Sequence, residues 1–258
     1  MKNLSSQRGS ALITILIIVI IMMIIGAISV KSGLLSLKIA TNSQAVHIMN
    51  QNTDAAYLKI EDASKISNYL LGTGLFGYPK MDSNRGKELV ICYRGSEADF
   101  YNLSKASLVY LEDGAIKTKD IGGSQTSGFC QVDGSNKNFA SGRTAAMTQI
   151  SIRVGGLSAT ENPFDFLQEG TDSESSKLKD PVRLVATVTT VMPVLSSAKD
   201  GEINACMKKM SYLDNIALSN DLTISGCLES ISVPYKTQVS EYSQGQFLSK
   251  KPAAAATP

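Results

Sequence analysis

Few side chains in this sequence have the type and spacing to do chemistry. The only histidine, His47, lies next to Ile48 and has no sequence-local partner with which to form a catalytic pair. No serine sits in a G-x-S-x-G elbow. The adjacent acids Glu61-Asp62 and Glu112-Asp113 are ordinary helix-surface and turn residues. Asp133-Gly134-Ser135-Asn136 has the composition of a cation loop but lacks the ligand repeat of an EF-hand, so it reads as a turn. Gly72-Thr73-Gly74-Leu75-Phe76-Gly77 matches G-x-G-x-x-G. It follows a helical pattern instead of a strand, and no βαβ unit surrounds it, so a glycine-rich exit loop is expected there. The sequence therefore predicts no catalytic residue, no cofactor and no metal site, and the chain reads as not an enzyme.

Two chemistries remain. The first is thiol oxidation. Cys92, Cys130, Cys206 and Cys227 form no Cys-x-x-Cys pair, and one histidine leaves no zinc-like cluster. An even number of cysteines in an exported domain reads as two disulfides. Three pairings exist; Cys92–Cys130 with Cys206–Cys227 is preferred because each closes a short loop, and sequence alone does not decide. The second is peptide-bond cleavage near the amino terminus, and the elements around that bond explain why.

The chain is organised on the apolar run Ser10 to Val30 (SALITILIIVIIMMIIGAISV), which holds no charged residue. As a helix rising 1.5 Å per residue it reaches roughly 30 Å, the thickness of a bilayer's hydrocarbon. The leader before it, MKNLSSQRG, carries Lys2 and Arg8 and no acid, which keeps it cytoplasmic and sends the large domain to the periplasm. A secretory signal has a shorter apolar core and a small-x-small site after it. Ala27-Ile28-Ser29 is a weak version of that site. Cleavage before the run, between Gly9 and Ser10, leaves the apolar helix as the mature amino terminus.

The stretch Gln7-Arg8-Gly9-Ser10-Ala11-Leu12-Ile13-Thr14, followed by an isoleucine-rich helix, resembles the class III signal of type IV prepilins. In that family a membrane aspartyl peptidase cuts after the glycine and methylates the new terminus. The resemblance places cleavage at Gly9–Ser10 and N-methylation on Ser10. Ile39-Ala40-Thr41-Asn42-Ser43-Gln44 and Asn50-Gln51-Asn52-Thr53-Asp54-Ala55-Ala56 resemble the PilX-type minor pilins, so the specific likeness covers residues 1–60. Most pilins carry a glutamate at the fifth mature residue, here Thr14. A carboxylate in the bilayer costs roughly 2.5–3.5 kcal/mol, offset in pilins by pairing with a neighbouring subunit's terminal amine. Thr14 has no charge to offer, though its hydroxyl can bond back to a carbonyl one turn earlier. PilX-type and GspK-type minor pilins share this lack, which is linked to a place at the top of the pilus.

The resemblance implies the α+β type IV pilin fold, a long N-terminal helix packed on an antiparallel β-sheet domain with disulfide-tied loops. It also implies a subunit that primes pilus assembly and sits at or near the tip, supporting twitching motility, adhesion or DNA uptake. The implied partners are other minor pilins, the major pilin, the prepilin peptidase, the inner-membrane assembly platform and a PilY-type tip adhesin. The protein would stand in the inner membrane before assembly and at the cell surface after it. Two other readings stay open, a GspK-like pseudopilin of type II secretion and a membrane-anchored periplasmic binding protein. The strand-rich composition weighs against the first, since GspK-type subunits carry a large inserted helical domain.

Beyond Val30, small and apolar residues recur at three- and four-residue spacing through Leu34, Leu37, Ala45, Ile48, Ala55, Ile60, Ile66 and Leu70. One helix from Ser10 to Leu70 is expected, amphipathic over 31–70 and packed there on a sheet. Gly26 and Gly33 weaken it locally. Strands are expected over Glu88–Arg94, Ser107–Leu111, Ile116–Lys119, Thr148–Val154 and Val182–Leu195, with Asp113-Gly114 turning a hairpin and Pro193 ending the last ladder. Weaker strands are read at Thr223-Ile224 and Ile231–Tyr235, and a short helix over Ile203–Leu213. Gly122–Arg143 and Glu161–Asp180 read as loops. The layout is leader 1–9, membrane helix 10–30, amphipathic helix 31–70, β-rich domain 71–249 and low-complexity tail 250–258 (KPAAAATP at its end). Lys and Arg total 25 against 23 acids, a net charge of +2 with no basic patch, so nucleic acid is not an expected ligand. The absence of Trp and 6% aromatics argue against a carbohydrate-stacking surface.

Overall fold

The computed structural model describes residues 8–95, 97, 99–123, 127–134, 136–140, 144–155, 183–213 and 222–243. Most of the leader, the stretch read as a loop over 161–180 and the tail from Lys250 lie outside them. The chain divides into two compact units, Met1–Ile48 and Met49–Pro258. Helix α1, Arg8–Ile60, supplies the first unit and the opening turns of the second.

α1 stops ten residues before the expected end, and the reason is local. The Asp62 carboxylate accepts both the backbone N–H of Ser64 at 3.0 Å and its hydroxyl at 2.6 Å. This Asx turn gives the backbone an alternative to the next helical bond. A four-residue helix α2, Ile66–Tyr69, follows. The loop after it packs so tightly that a Cβ on Gly77 would lie 1.6 Å from the Leu71 carbonyl oxygen. Glycine is required there for close backbone approach, which agrees with an exit loop.

The second unit is built on a six-stranded antiparallel sheet in the order β3-β2-β1-β4-β5-β6. Its strands are β1 Glu88–Tyr93, β2 Ser107–Glu112, β3 Ala115–Asp120, β4 Met147–Val154, β5 Arg183–Val191 and β6 Tyr235–Ser243. Asp113 and Gly114 both take positive φ, 53° and 74°, and Glu112 pairs with Ala115. That is the two-residue turn whose twist suits a hairpin. Two helices follow β5: α3, Asp200–Met207, and α4, Ile224–Ser230.

Both faces of the central strands are covered. On one, Ala56, Tyr57 and Ile60 of α1 pack with Leu89 and Ile91, Leu108, Ile150 and Ile152, and Leu184, Ala186 and Val188. On the other, Cys92, Met147 and Val191 pack with Ile203, Cys206 and Met207 of α3 and Ile224, Cys227 and Leu228 of α4. Double coverage explains why β1 reads as a continuous apolar run instead of alternating.

Two strand expectations are corrected. Ile224 begins a helix: Thr223 makes one isolated bridge to Met210, and its hydroxyl caps α4 by accepting from the Gly226 N–H at 3.1 Å. The strand expected over Ile231–Tyr235 is shifted: the final strand begins only at Tyr235. It runs to Ser243 because β5 pairs with it along its whole length.

Candidate functional site

The feature that departs from a water-soluble protein is the exposed first half of α1. The helix is long and apolar enough to cross a membrane, with mean hydropathy 3.1 over its most apolar window, none of it buried within the protein. Ile and Leu side chains from Leu12 to Ile28 stand between 47% and 70% exposed. At roughly 25 cal/mol per Å² of apolar surface, a run this long leaves water for hydrocarbon or for other apolar helices.

The expected processing residues lie at the start of this helix. Gly9 and Ser10 belong to the first turn of α1, which begins at Arg8. The first N–H groups of a helix lack intrahelical acceptors and its ends fray, so this bond is among the easiest in α1 to extend into a protease. Thr14 lies one turn further on and is exposed. His47 is exposed in the same helix, far along it from any expected reaction.

A stripe along α1 went unread in the sequence. Gly26, Ser29, Gly33, Ser36, Ala40, Ser43 and His47 follow one another at alternating three- and four-residue steps, so they share one helix face, and all are exposed. Added Cβ atoms at Gly26 and Gly33 would meet nothing within 4 Å. Small side chains on one face let a second helix backbone approach closely. The signal was legible in the spacing, but an apolar-only reading of periodicity passes over serine.

The Met49–Ile60 end of α1 is fixed to the sheet by polar contacts as well as apolar ones. Thr53 is fully buried, and its hydroxyl lies 2.9 Å from that of Thr190 on β5, which lies 3.0 Å from that of Thr148 on β4. The Tyr57 hydroxyl lies within hydrogen-bond reach of the Gln238 and Ala186 carbonyls, at 2.9 and 3.1 Å, on β6 and β5. Burial pushes the Tyr57 phenol above its ordinary range, so it stays neutral and able to donate. Tyr242 on β6 donates to Glu61 just past the helix end, at 2.8 Å.

On the opposite face the four cysteines form two bridges, Cys92–Cys130 and Cys206–Cys227. The first ties the 127–134 loop to β1, and the second joins α3 to α4. Gln149 links the two regions, accepting from the Cys130 N–H at 3.1 Å and donating to the Met207 carbonyl at 2.8 Å. Asp133 accepts from Asn138 at 3.2 Å within its own loop, as a turn residue does. Among the described residues no cluster of His, Cys, Asp and Glu could hold a metal ion.

No protein-family model matches the chain, and neither a curated protein nor a solved structure matches it.

Proposed function

We propose that this chain is a minor type IV pilin of the PilX kind, a structural subunit that starts or caps a filament. One observation carries the reading: an uncovered apolar helix begins beside Arg8-Gly9-Ser10 and runs without a break into a disulfide-tied antiparallel sheet domain. A cleaved leader would leave this helix free to leave the bilayer sideways into a helical bundle. The small-residue stripe from Gly26 to Ser43 supports that use, because a bundle needs faces on which backbones approach closely. Thr14 supports a terminal place: a subunit without a carboxylate there cannot neutralise the amine of one stacked above it. The partners are then the major and other minor pilins, the prepilin peptidase, the assembly platform and a PilY-type adhesin.

Deletion should sharply reduce the number of pili while leaving the shaft structure of the remainder unchanged. Immunogold labelling of sheared pili is the direct test. Gold confined to one end supports the reading, and gold spread evenly along the fibre contradicts the tip placement.

A further inference from the structure

Glu88 opens β1 and is an acid where a sheet core expects none: it is 1% exposed. Its carboxylate accepts the Ser211 N–H at 2.8 Å and the Tyr212 N–H at 3.4 Å. On the neighbouring strand the pairing of Leu89 with Ile152 sets Arg153 beside it, and the Arg153 guanidinium stacks 4.6 Å from the centre of the Tyr212 ring. On its other side Glu88 pairs with Val109, an apolar residue. Lys87, next to it in the chain, is directed over the Tyr110 ring at 5.0 Å. The covering segment brings Lys208 and Lys209 just before Met210, and Tyr212 itself.

The segment held by this carboxylate is also fastened by the Arg153–Tyr212 stacking, by Leu213 packed against Val90, Val109 and Phe129, and by Met210. Met210 is locked to the start of α4, its N–H donating to Leu222 and its carbonyl accepting from Ile224. Beyond Met210, Ser211 and Tyr212 are tied to the sheet through Glu88, and Tyr212 is half exposed at the surface.

We propose that Glu88 is a proton-operated latch, which in its neutral form keeps Ser211–Leu213 seated on the sheet and on ionising favours the lifted form, presenting the Tyr212 ring to a partner or to solvent. The direction follows from solvation. A carboxylate shut away from water pays several kcal/mol that two N–H groups and one guanidinium already stacked on a ring offset only in part, whereas a neutral carboxyl loses little. Lifting the segment rehydrates the charge. A proton that binds the seated form more tightly must stabilise it, so seating weakens as pH rises. In agreement, burial pushes the Glu88 carboxyl up to about 7 from 4.5. The inference is independent of the pilin reading.

Hydrogen exchange on the full-length chain in detergent, from pH 5 to 7.5 and corrected for the intrinsic pH dependence of exchange, reads the latch in a peptide spanning 208–213. The opening constant should rise on the order of 50-fold across that range. Glu88→Gln should hold it flat at the acid value, and His47→Gln, which removes the only histidine, should leave the rise intact. Protection independent of pH in the unaltered chain, or a rise that persists in Glu88→Gln, overturns the latch. Carbon NMR of the Glu88 carboxyl gives a reading that needs no variant to fold: a midpoint near 7 supports the latch, and one near 4.5 overturns it.

Discussion

Thr14 carries the positional part of the account, because it is one uncharged side chain where most pilins place a carboxylate. If the missing charge sets the subunit's place, Thr14→Glu should appear within the pilus shaft more often, as scored by immunogold; an unchanged distribution means that Thr14 does not set position. Thr53 is the comparable residue on the sheet side. Thr53→Val keeps the shape but leaves the buried Thr190 hydroxyl, which also bonds that of Thr148, one partner short, which should cost about 1–2 kcal/mol in denaturant unfolding. A loss near zero would show that Thr190 and Thr148 satisfy each other. Glu88 sets a pH dependence for the whole sheet domain. Its folded value of about 7 stands above the ordinary 4.5, so between these the folded state binds the extra proton. The stability it contributes is fully present below 4.5, declines as pH rises to 7 and is level above that. Thermal unfolding with the disulfides intact should show a higher Tm at pH 5 than at pH 8, with a smaller difference in Glu88→Gln.

One disulfide ties the 127–134 loop to β1, and the other joins the helices α3 and α4. The bridges span sequence separations of 38 and 21 residues, and in the chain-entropy picture each stabilises by roughly 3–4 kcal/mol. Cys206→Ser with Cys227→Ser should therefore lower the unfolding midpoint and loosen α3 and α4, while the β2–β3 hairpin keeps its protection in hydrogen exchange. The elements differ in how far they could be read from sequence, for physical reasons. The hairpin was legible because Asp113-Gly114 alone meets the backbone demand of its turn. β1, β4 and β5 were legible from their β-branched and apolar runs. The end of α1 was not, since the signal is one Asp62 side chain and neither Gly nor Pro marks it. α4 was read as strand because Thr223-Ile224 has strand composition, whereas the Thr223 hydroxyl serves as a cap. β6 was missed because Tyr235–Ser243 is an edge strand with half-exposed side chains, so its identity comes from pairing with β5 and not from its own pattern.

At the scale of the whole molecule, the sequence states the anchor more clearly than the domain. An uncharged apolar run long enough to span a bilayer is a property of composition and length, both present in the primary structure. The expected processing residues Arg8-Gly9-Ser10 and the uncharged Thr14 come from the sequence alone, while the Gly26–Ser43 stripe needed helical geometry to be seen as one face. The sheet domain depends on pairings far apart in sequence, and Glu88 acquires its meaning only when Ser211 and Tyr212 arrive beside it. The central claim is that Gly9–Ser10 is cut and the apolar helix is retained as the start of a filament subunit. Gly9→Leu should leave an uncut precursor in the membrane. The most direct measurement is mass spectrometry of the amino-terminal peptide of the protein recovered from membranes and from sheared pili. A chain beginning at Ser10 with a methylated amine is expected in both fractions; an intact leader, or a start beyond the apolar run near Val30, would contradict cleavage at Gly9–Ser10.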